Sequence, residues 1–276
     1  MTRPLLIAAL AVLASATPAT ATRWPNGAKA AVALTYDDAL ASQLDRAAPA
    51  LDRARLKGTF FLSGVKREQV PRWRALAKKG HELANHSLFH PCPAATFPAD
   101  PRYTLESYTP AQMVREIAQQ EVLLTAIDGR RRHGFASPCT VNTAGGQDYL
   151  EPLRAANIVT YARTRVTDRD DPAADVSALD PMHIPGLAFE ETATGPELIA
   201  FAQRAQAGGG MAVYVFHGVG GDYLSVSDAA HRALVDWLAA NRRDIWVAPL
   251  GEVIAWARAH PDQPPNEPPN QPTGQR

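Results

Sequence analysis

The sequence predicts a single α/β domain: a distorted barrel of parallel strands, each followed by a helix. Three observations predict it. Short apolar runs alternate with amphipathic stretches between about residues 30 and 260. About seven such units follow one another without a break in composition. No internal repeat and no glycine-rich phosphate loop interrupts them. An open, doubly wound sheet is the alternative arrangement of the same units.

The elements run in order. "AAVALTY" (30–36) reads as a buried strand and "ASQLDRAAPALDRAR" (41–55) as a helix, despite Pro49. "GTFFLSG" (58–64) is a strand. "PRWRALAKKG" (71–80) opens on Pro and ends on Gly, the usual punctuation of a helix. "HELANH" (81–86) is a short strand that runs into a long irregular stretch, 91–108. Thr109 caps the next helix, with Pro110 as its first residue, and the helix continues to about Ile127. "HGFASP" (133–138) is a strand and loop, "QDYLEPLRAAN" (147–157) a helix and "IVTYART" (158–164) a strand. "GPELIAFAQRAQAGG" (195–209) is a helix and "MAVYVFHG" (211–218) a buried strand. Ser227 caps a further helix, "DIWVAP" (244–249) is a strand, and "LGEVIAWARAH" (250–260) is the last helix. Trp73, Trp237, Trp246 and Trp256 fall in these periodic stretches and are expected in the core. His133 and His231 are expected at the surface, and His183 is read as a structural loop residue.

Both ends fall outside this pattern. "MTRPLLIAALAVLASATPATA" has one basic residue, an apolar run too short to span a bilayer, and an Ala19-Thr20-Ala21 cleavage pattern. It reads as a signal peptide covering 1–21, with an uncleaved anchor as the alternative. Secretion or a periplasmic location follows. Residues 261–276 are rich in Pro, Asn and Gln without apolar periodicity, and read as a disordered tail. The remaining domain spans 22–260. The whole chain of 276 residues is electrically neutral, with 28 basic and 28 acidic residues, so nothing points to nucleic acid or an anionic membrane surface. No protein partner is implied. Two cysteines, Cys92 and Cys139, are free to pair in an oxidising compartment.

In either architecture, functional groups gather at the C-terminal ends of the strands. Asp37, Asp38, His86 and His217 all sit at such ends. Two adjacent carboxylates there repel each other unless a cation or proton is shared. His86 and His90 have the i, i+4 spacing that puts both imidazoles on one face. One carboxylate and two imidazoles make a three-ligand site with positions left for water and substrate, the layout of a hydrolytic metal centre.

"LTYDD", "NHSLFHP", "FASPC" and "VFHGVG" resemble, in type and order, the motifs of the polysaccharide deacetylases, the NodB-homology carbohydrate esterases. The resemblance covers roughly residues 30–255. It implies a distorted (β/α) barrel, a divalent metal (zinc is expected) and removal of acetyl groups from an acetylated glycan. It assigns Asp37 as general base, Asp38, His86 and His90 as metal ligands, and His217 as general acid. Ser87 would brace the metal loop, and the backbone amide of Cys139 or its neighbour would help hold the oxyanion. If both loops border one site, a Cys92–Cys139 disulfide would tie them together; ligation of the metal by a thiol is the alternative.

Two departures from the family pattern stand out. Its third motif carries an arginine that pairs with the base aspartate, and here that position is Ala136. Arg163, at another strand end, is the candidate substitute. The fourth motif, with an Asp and a Trp, is not evident: Asp168, Asp170 and Asp171 lie in a polar stretch without Trp and are read as solvent-facing. Tyr36 is expected to pack beneath the site, and Tyr223 is a candidate for stacking on a sugar ring. N-deacetylation of acetylated amino sugars is the leading expectation. O-deacetylation of a xylan-type polymer, a catalytically silent glycan-binding protein and a hydrolase of small amides are the alternatives.

Overall fold

The computed structural model describes residues 24–96, 100–166, 176 and 178–260. The expected leader, the tail, and Asp168, Asp170 and Asp171 lie outside the described residues. The apolar runs, joined by one stretch not read as a strand, Ile184–Ala188, become parallel strands that close on themselves. They are β1 (Ala30–Asp37), β2 (Thr59–Leu62), β3 (Glu82–Asn85), β4 (His133–Ala136), β7 (Val159–Val166), β8 (Ile184–Ala188) and β9 (Met211–Phe216). β9 pairs back onto β1 from Ala31↔Met211 to Tyr36↔Phe216, which completes a closed seven-stranded ring. The doubly wound alternative is thereby set aside. A two-residue ribbon, β5 (Thr143–Ala144) with β6 (Gln147–Asp148), stands outside the ring.

An eighth parallel strand, β10 (Ile245–Val247), distorts the ring. It pairs with Ala30–Val32 of β1, whereas β2 pairs with Thr35–Asp37. Since β9 occupies the other edge of β1, β10 wedges between β1 and β2 at the N-terminal end of the barrel. Among the described residues, seven α-helices accompany the strands: α1 (Ala48–Ala54), α2 (Val70–Lys78), α3 (Pro110–Asp128), α4 (Leu150–Ala156), α5 (Gly195–Gly208), α6 (Asp228–Ala240) and, after the last strand, α7 (Leu250–Ala259). Thr109, Thr194 and Ser227 accept hydrogen bonds from the first turns of α3, α5 and α6, satisfying amides that a helix start leaves unpaired.

The strands alternate with period two. Val32, Leu34 and Tyr36 of β1 pack outward with α1, α5 and α6. Ala31 and Ala33 face the other way, in one cluster with Phe61, Ala84, Ala136, Tyr161 and Val213. That cluster also holds Leu250, Val253 and Ile254, so α7 plugs one end of the barrel. The carboxylate of Glu82 fixes the plug: it accepts from Thr59 Oγ1 (2.8 Å), Tyr161 Oη (3.1 Å) and Gly251 N (3.0 Å). Gly134 is required where it stands, because a Cβ there would lie 2.0 Å from the Tyr161 ring. On β1, Asp37 shares the face of Ala31 and Ala33, and on β7, Arg163 shares the face of Tyr161. The inward parity therefore aims both charged residues at the open end of the barrel.

Three sequence expectations need correction. The helix expected over 41–55 forms but is not uniform: a π-turn, Gln43–Ala47, interrupts it before α1 takes over, and Pro49, which has no N–H to give to the preceding turn, follows directly on it. His133 is buried, with Nδ1 2.9 Å from Glu121 Oε2 and Nε2 3.1 Å from Asp128 Oδ1. Burial alone would lower its pKa, but the two carboxylates outweigh that and raise it to about 9. His231 is also buried, 2.7 Å from the hydroxyl of Tyr36, and burial lowers its pKa to about 4. Trp73 is fully buried, while Trp237, Trp246 and Trp256 are half-buried against the core.

Candidate active site

Four loops at the C-terminal ends of the strands converge on one cavity of about 550 Å³, lined among others by Asp37, Asp38, His86, His90, His217 and Tyr223. The chain bends sharply to get there. Among the described residues, eleven non-glycine residues have positive φ, and eight of them lie in these loops: Asp38, Ala39, Ser87, His90, Cys139, Thr140, Asp222 and Leu224. Left-handed backbone costs a non-glycine residue of order 1 kcal/mol or more, and persists where surrounding contacts over-determine it.

Those contacts are visible around the histidines. Past β3, the side chain of Asn85 accepts from Ser87 N (2.8 Å), and Ser87 Oγ accepts from His90 N (3.0 Å). The buried carboxylate of Glu116 on α3 accepts from Leu88 N (3.2 Å) and Phe89 N (2.8 Å). Asn85 itself donates to Glu121 (2.8 Å) and to Ile117 O (3.0 Å). A polar chain thus runs from Asp128 through His133, Glu121 and Asn85 to the loop. Glu116 and Glu121 were not foreseen; their only sequence mark is being acids on the inward face of an amphipathic helix.

The loop brings three ligand atoms together. His86 Nε2 and His90 Nε2 are 3.1 Å apart, and Asp38 Oδ1 lies 3.4 Å and 3.3 Å from them. Tetrahedral ligands bound at ~2.0–2.1 Å sit roughly 3.3 Å from one another, so the triangle has the size of one face of such a site. Asp38 Oδ1 is buried and has no hydrogen-bond partner among the described residues, which a buried carboxylate oxygen tolerates poorly without a cation. Ala136 O lies 2.9 Å from His86 Nδ1, where it accepts that proton and leaves Nε2 as a lone pair. Burial, with His86 adjacent, lowers the pKa of His90 to about 4 and keeps it in the neutral, ligating form. These residues fit a divalent cation.

Asp37 stands beside this triangle, its Oδ2 3.8 Å from His86 Nε2. Arg163 Nη2 donates to both of its oxygens, at 2.6 Å and 2.5 Å. Both side chains are buried, and the guanidinium also lies 4.8 Å over the Phe61 ring. Burial alone would raise the pKa of Asp37; the charge of Arg163, with His86 and His217, outweighs it and holds the carboxyl below the usual range. Ala136 and Arg163 are direct partners on the neighbouring strands β4 and β7. The guanidinium therefore enters from the strand next to the one that carries alanine.

His217 closes another side, with Nε2 3.7 Å from Asp38 Oδ2. Its Nδ1 is buried and lacks a partner among the described residues. Tyr223 donates from its hydroxyl to Asp38 Oδ2 at 2.8 Å, and burial together with that carboxylate raises its pKa. Its ring remains half-exposed at the cavity mouth, 6.2 Å from His217. Cys92 and Cys139 form a disulfide, with Cα atoms 5.7 Å apart, so neither sulfur is free to ligate. The bond joins the loop of His90 to the turn after β4. His183 is half-exposed beside Asp180 and does not line the cavity.

Comparison with known proteins points the same way. A solved structure described as a putative polysaccharide deacetylase from Mycobacterium smegmatis is 19% identical, with a TM-score of 0.58 over 91% of this chain and 97% of its own. A CE4 family pseudoenzyme from Bacillus anthracis is 16% identical, with a TM-score of 0.53 over 87% of this chain and 70% of its own. Both likenesses are of fold. A gellan lyase from a Bacillus species is 28% identical over 115 residues, 42% of this chain; the chain spans only 4% of that protein's length. The family model described as "Polysaccharide deacetylase" matches residues 25–149. That segment, which carries Asp37, Asp38, His86, His90 and Cys139, is what matches the polysaccharide deacetylase family, and β7 to β10 complete the barrel beyond it.

Proposed function

We propose that the chain is a secreted or periplasmic, metal-dependent deacetylase that hydrolyses acetamido groups of a glycan. One observation carries the reading. Asp38, His86 and His90 present three ligand atoms at the spacing of a tetrahedral face, while the adjacent Asp37 stays off that triangle and is held as an anion by Arg163. A binding protein has a use for the triangle but none for the poised second carboxylate.

Asp38, His86 and His90 would hold the cation, with zinc the best match to one carboxylate and two imidazoles. Bound there, it supplies Lewis-acid polarisation of the acetyl carbonyl and acidifies the attacking water. Asp37 takes a proton from that water as its oxygen bonds to the acetyl carbon. A backbone N–H at Cys139 helps hold the oxyanion. His217 gives a proton to the leaving nitrogen as the carbon–nitrogen bond breaks, releasing acetate and a free amine. Arg163 keeps Asp37 ionised and aimed. Tyr223, half-exposed at the mouth, offers a face for a sugar ring. The domain of residues 22–260 does this work after removal of 1–21; the disulfide suits an oxidising compartment, and no described helix is long and apolar enough to cross a membrane.

The test is acetate release from a panel of N-acetylated and O-acetylated glycans, with Asp37→Asn alongside. Loss of about 10²-fold or more in kcat for the variant, with zinc affinity kept, is the expected result. Full activity of Asp37→Asn sinks the assignment of the base. Release from O-acetylated glycans alone moves the substrate class to esters.

A further inference from the structure

We propose that Gln43 is a positioning residue that sets the spacing between Asp37 and His217; the proposal rests on the deacetylase reading above. Asp37 and His217 are the first residues beyond the β1–β9 ladder, which ends at Tyr36↔Phe216. Past that pair no strand bond ties the two together, so something else must fix the distance between the acid and the base. The side chain of Gln43 does so. Its Nε2 donates to Asp37 O at 2.5 Å and to His217 O at 3.1 Å. Both neighbours are carbonyl oxygens, so only the NH2 end of the amide fits between them. Gln43 is fully buried.

The adjacent Ser42 grips the same loop twice. Its backbone N–H donates to Asp222 Oδ2 (2.7 Å), and its Oγ accepts from Val219 N (3.1 Å). Two consecutive residues at the start of the π-turn thus clamp the segment that carries His217 and Tyr223 to the segment that carries Asp37 and Asp38. A π-turn puts one more residue into the turn than an α-helix does, and such turns recur at functional sites. Here it lets Ser42 and Gln43 both reach across to the loop after β9.

A plain capping role would satisfy two carbonyls and do nothing more. Gln120 provides the matched control: it is also fully buried, and its Nε2 donates to the strand-end carbonyl of Leu62 at 2.6 Å. Gln43→Met and Gln120→Met each remove one buried amide of the same kind while keeping volume. The expected result is a similar loss of thermal stability in both. Only Gln43→Met lowers kcat for acetate release, by about 10–100-fold, since displacement of a reacting group by an ångström has that effect. Its KM and zinc affinity stay within threefold of wild type. An equal kcat loss in both variants, or a kcat for Gln43→Met within twofold of wild type, overturns the proposal. A second readout needs no turnover. In imidazole 15N spectra the His217 signals move in Gln43→Met while those of His133 hold, and unmoved His217 signals overturn the proposal. A wild-type protein that binds zinc but releases no acetate from any glycan defeats the deacetylase reading instead, and the His217 spectra still decide the clamp.

Discussion

Replacing Arg163 by methionine isolates the pair on which the account most depends. The substitution keeps much of the side chain's length but removes the guanidinium that donates to both oxygens of Asp37. Arg163 and Asp37 are each 4% exposed. Breaking a buried ion pair from one side leaves an uncompensated charge, which costs ~3–5 kcal/mol. For a domain of this size that lowers the unfolding midpoint by roughly 6–20 °C. The carboxylate also loses its aim, so kcat should fall by about 10²–10³-fold, in the range of a lost general base. Thermal unfolding of the metal-free protein and initial rates of acetate release measure the two effects. The register Ala136↔Arg163 adds a rescue: Ala136→Arg combined with Arg163→Ala returns the guanidinium from the neighbouring strand and should recover at least ten-fold of the lost rate. An Arg163→Met protein within about 1 kcal/mol of wild type and with more than half its kcat would refute the reasoning.

The remaining predictions concern the loops and the network behind them. Cys92 and Cys139 are 47 residues apart, so reduction, or serine at both positions, should cost about 4 kcal/mol in the chain-entropy account, read as a lower denaturant midpoint. His133 has its pKa raised from 6.5 to about 9, so its contribution, of order 3 kcal/mol, is complete below pH 6.5 and disappears as pH rises through 9. Stability of His133→Gln should therefore vary less between pH 6 and 10 than that of wild type. Tyr223→Phe removes the bond to Asp38 Oδ2, and calorimetric titration should show zinc bound about tenfold more weakly; unchanged affinity would assign the hydroxyl no part in holding Asp38.

Much of this was legible in the sequence because strand ends and strand parity are local properties. Apolar runs located every barrel strand but β8, and their C-terminal ends located Asp37, Asp38, His86 and His217. Arg163 could be named because it stands near the C-terminal end of another strand, where functional groups gather; the parity that turns it inward with Tyr161 is visible only in the structure. What stayed hidden depends on tertiary partners, near or far in the chain. The burial of His133 follows from Glu121 and Asp128, and that of His231 from Tyr36; neither partner is marked by spacing. Gln43 carries no signal at all in "DDALASQLD". The π-turn that places it reflects bonds to Asp222 and Val219, some 180 residues away. The barrel closure itself was a choice between two architectures, since β9 returning to β1 is a tertiary pairing that alternating elements permit but do not require.

Asp38, His86 and His90 are proposed to hold a metal beside a working base, Asp37. Acetate release from N-acetylated glycan should vanish after chelation and return on addition of one equivalent of zinc. In Asp38→Asn, both zinc binding and acetate release should be lost together. Undiminished release from fully chelated protein would contradict the account.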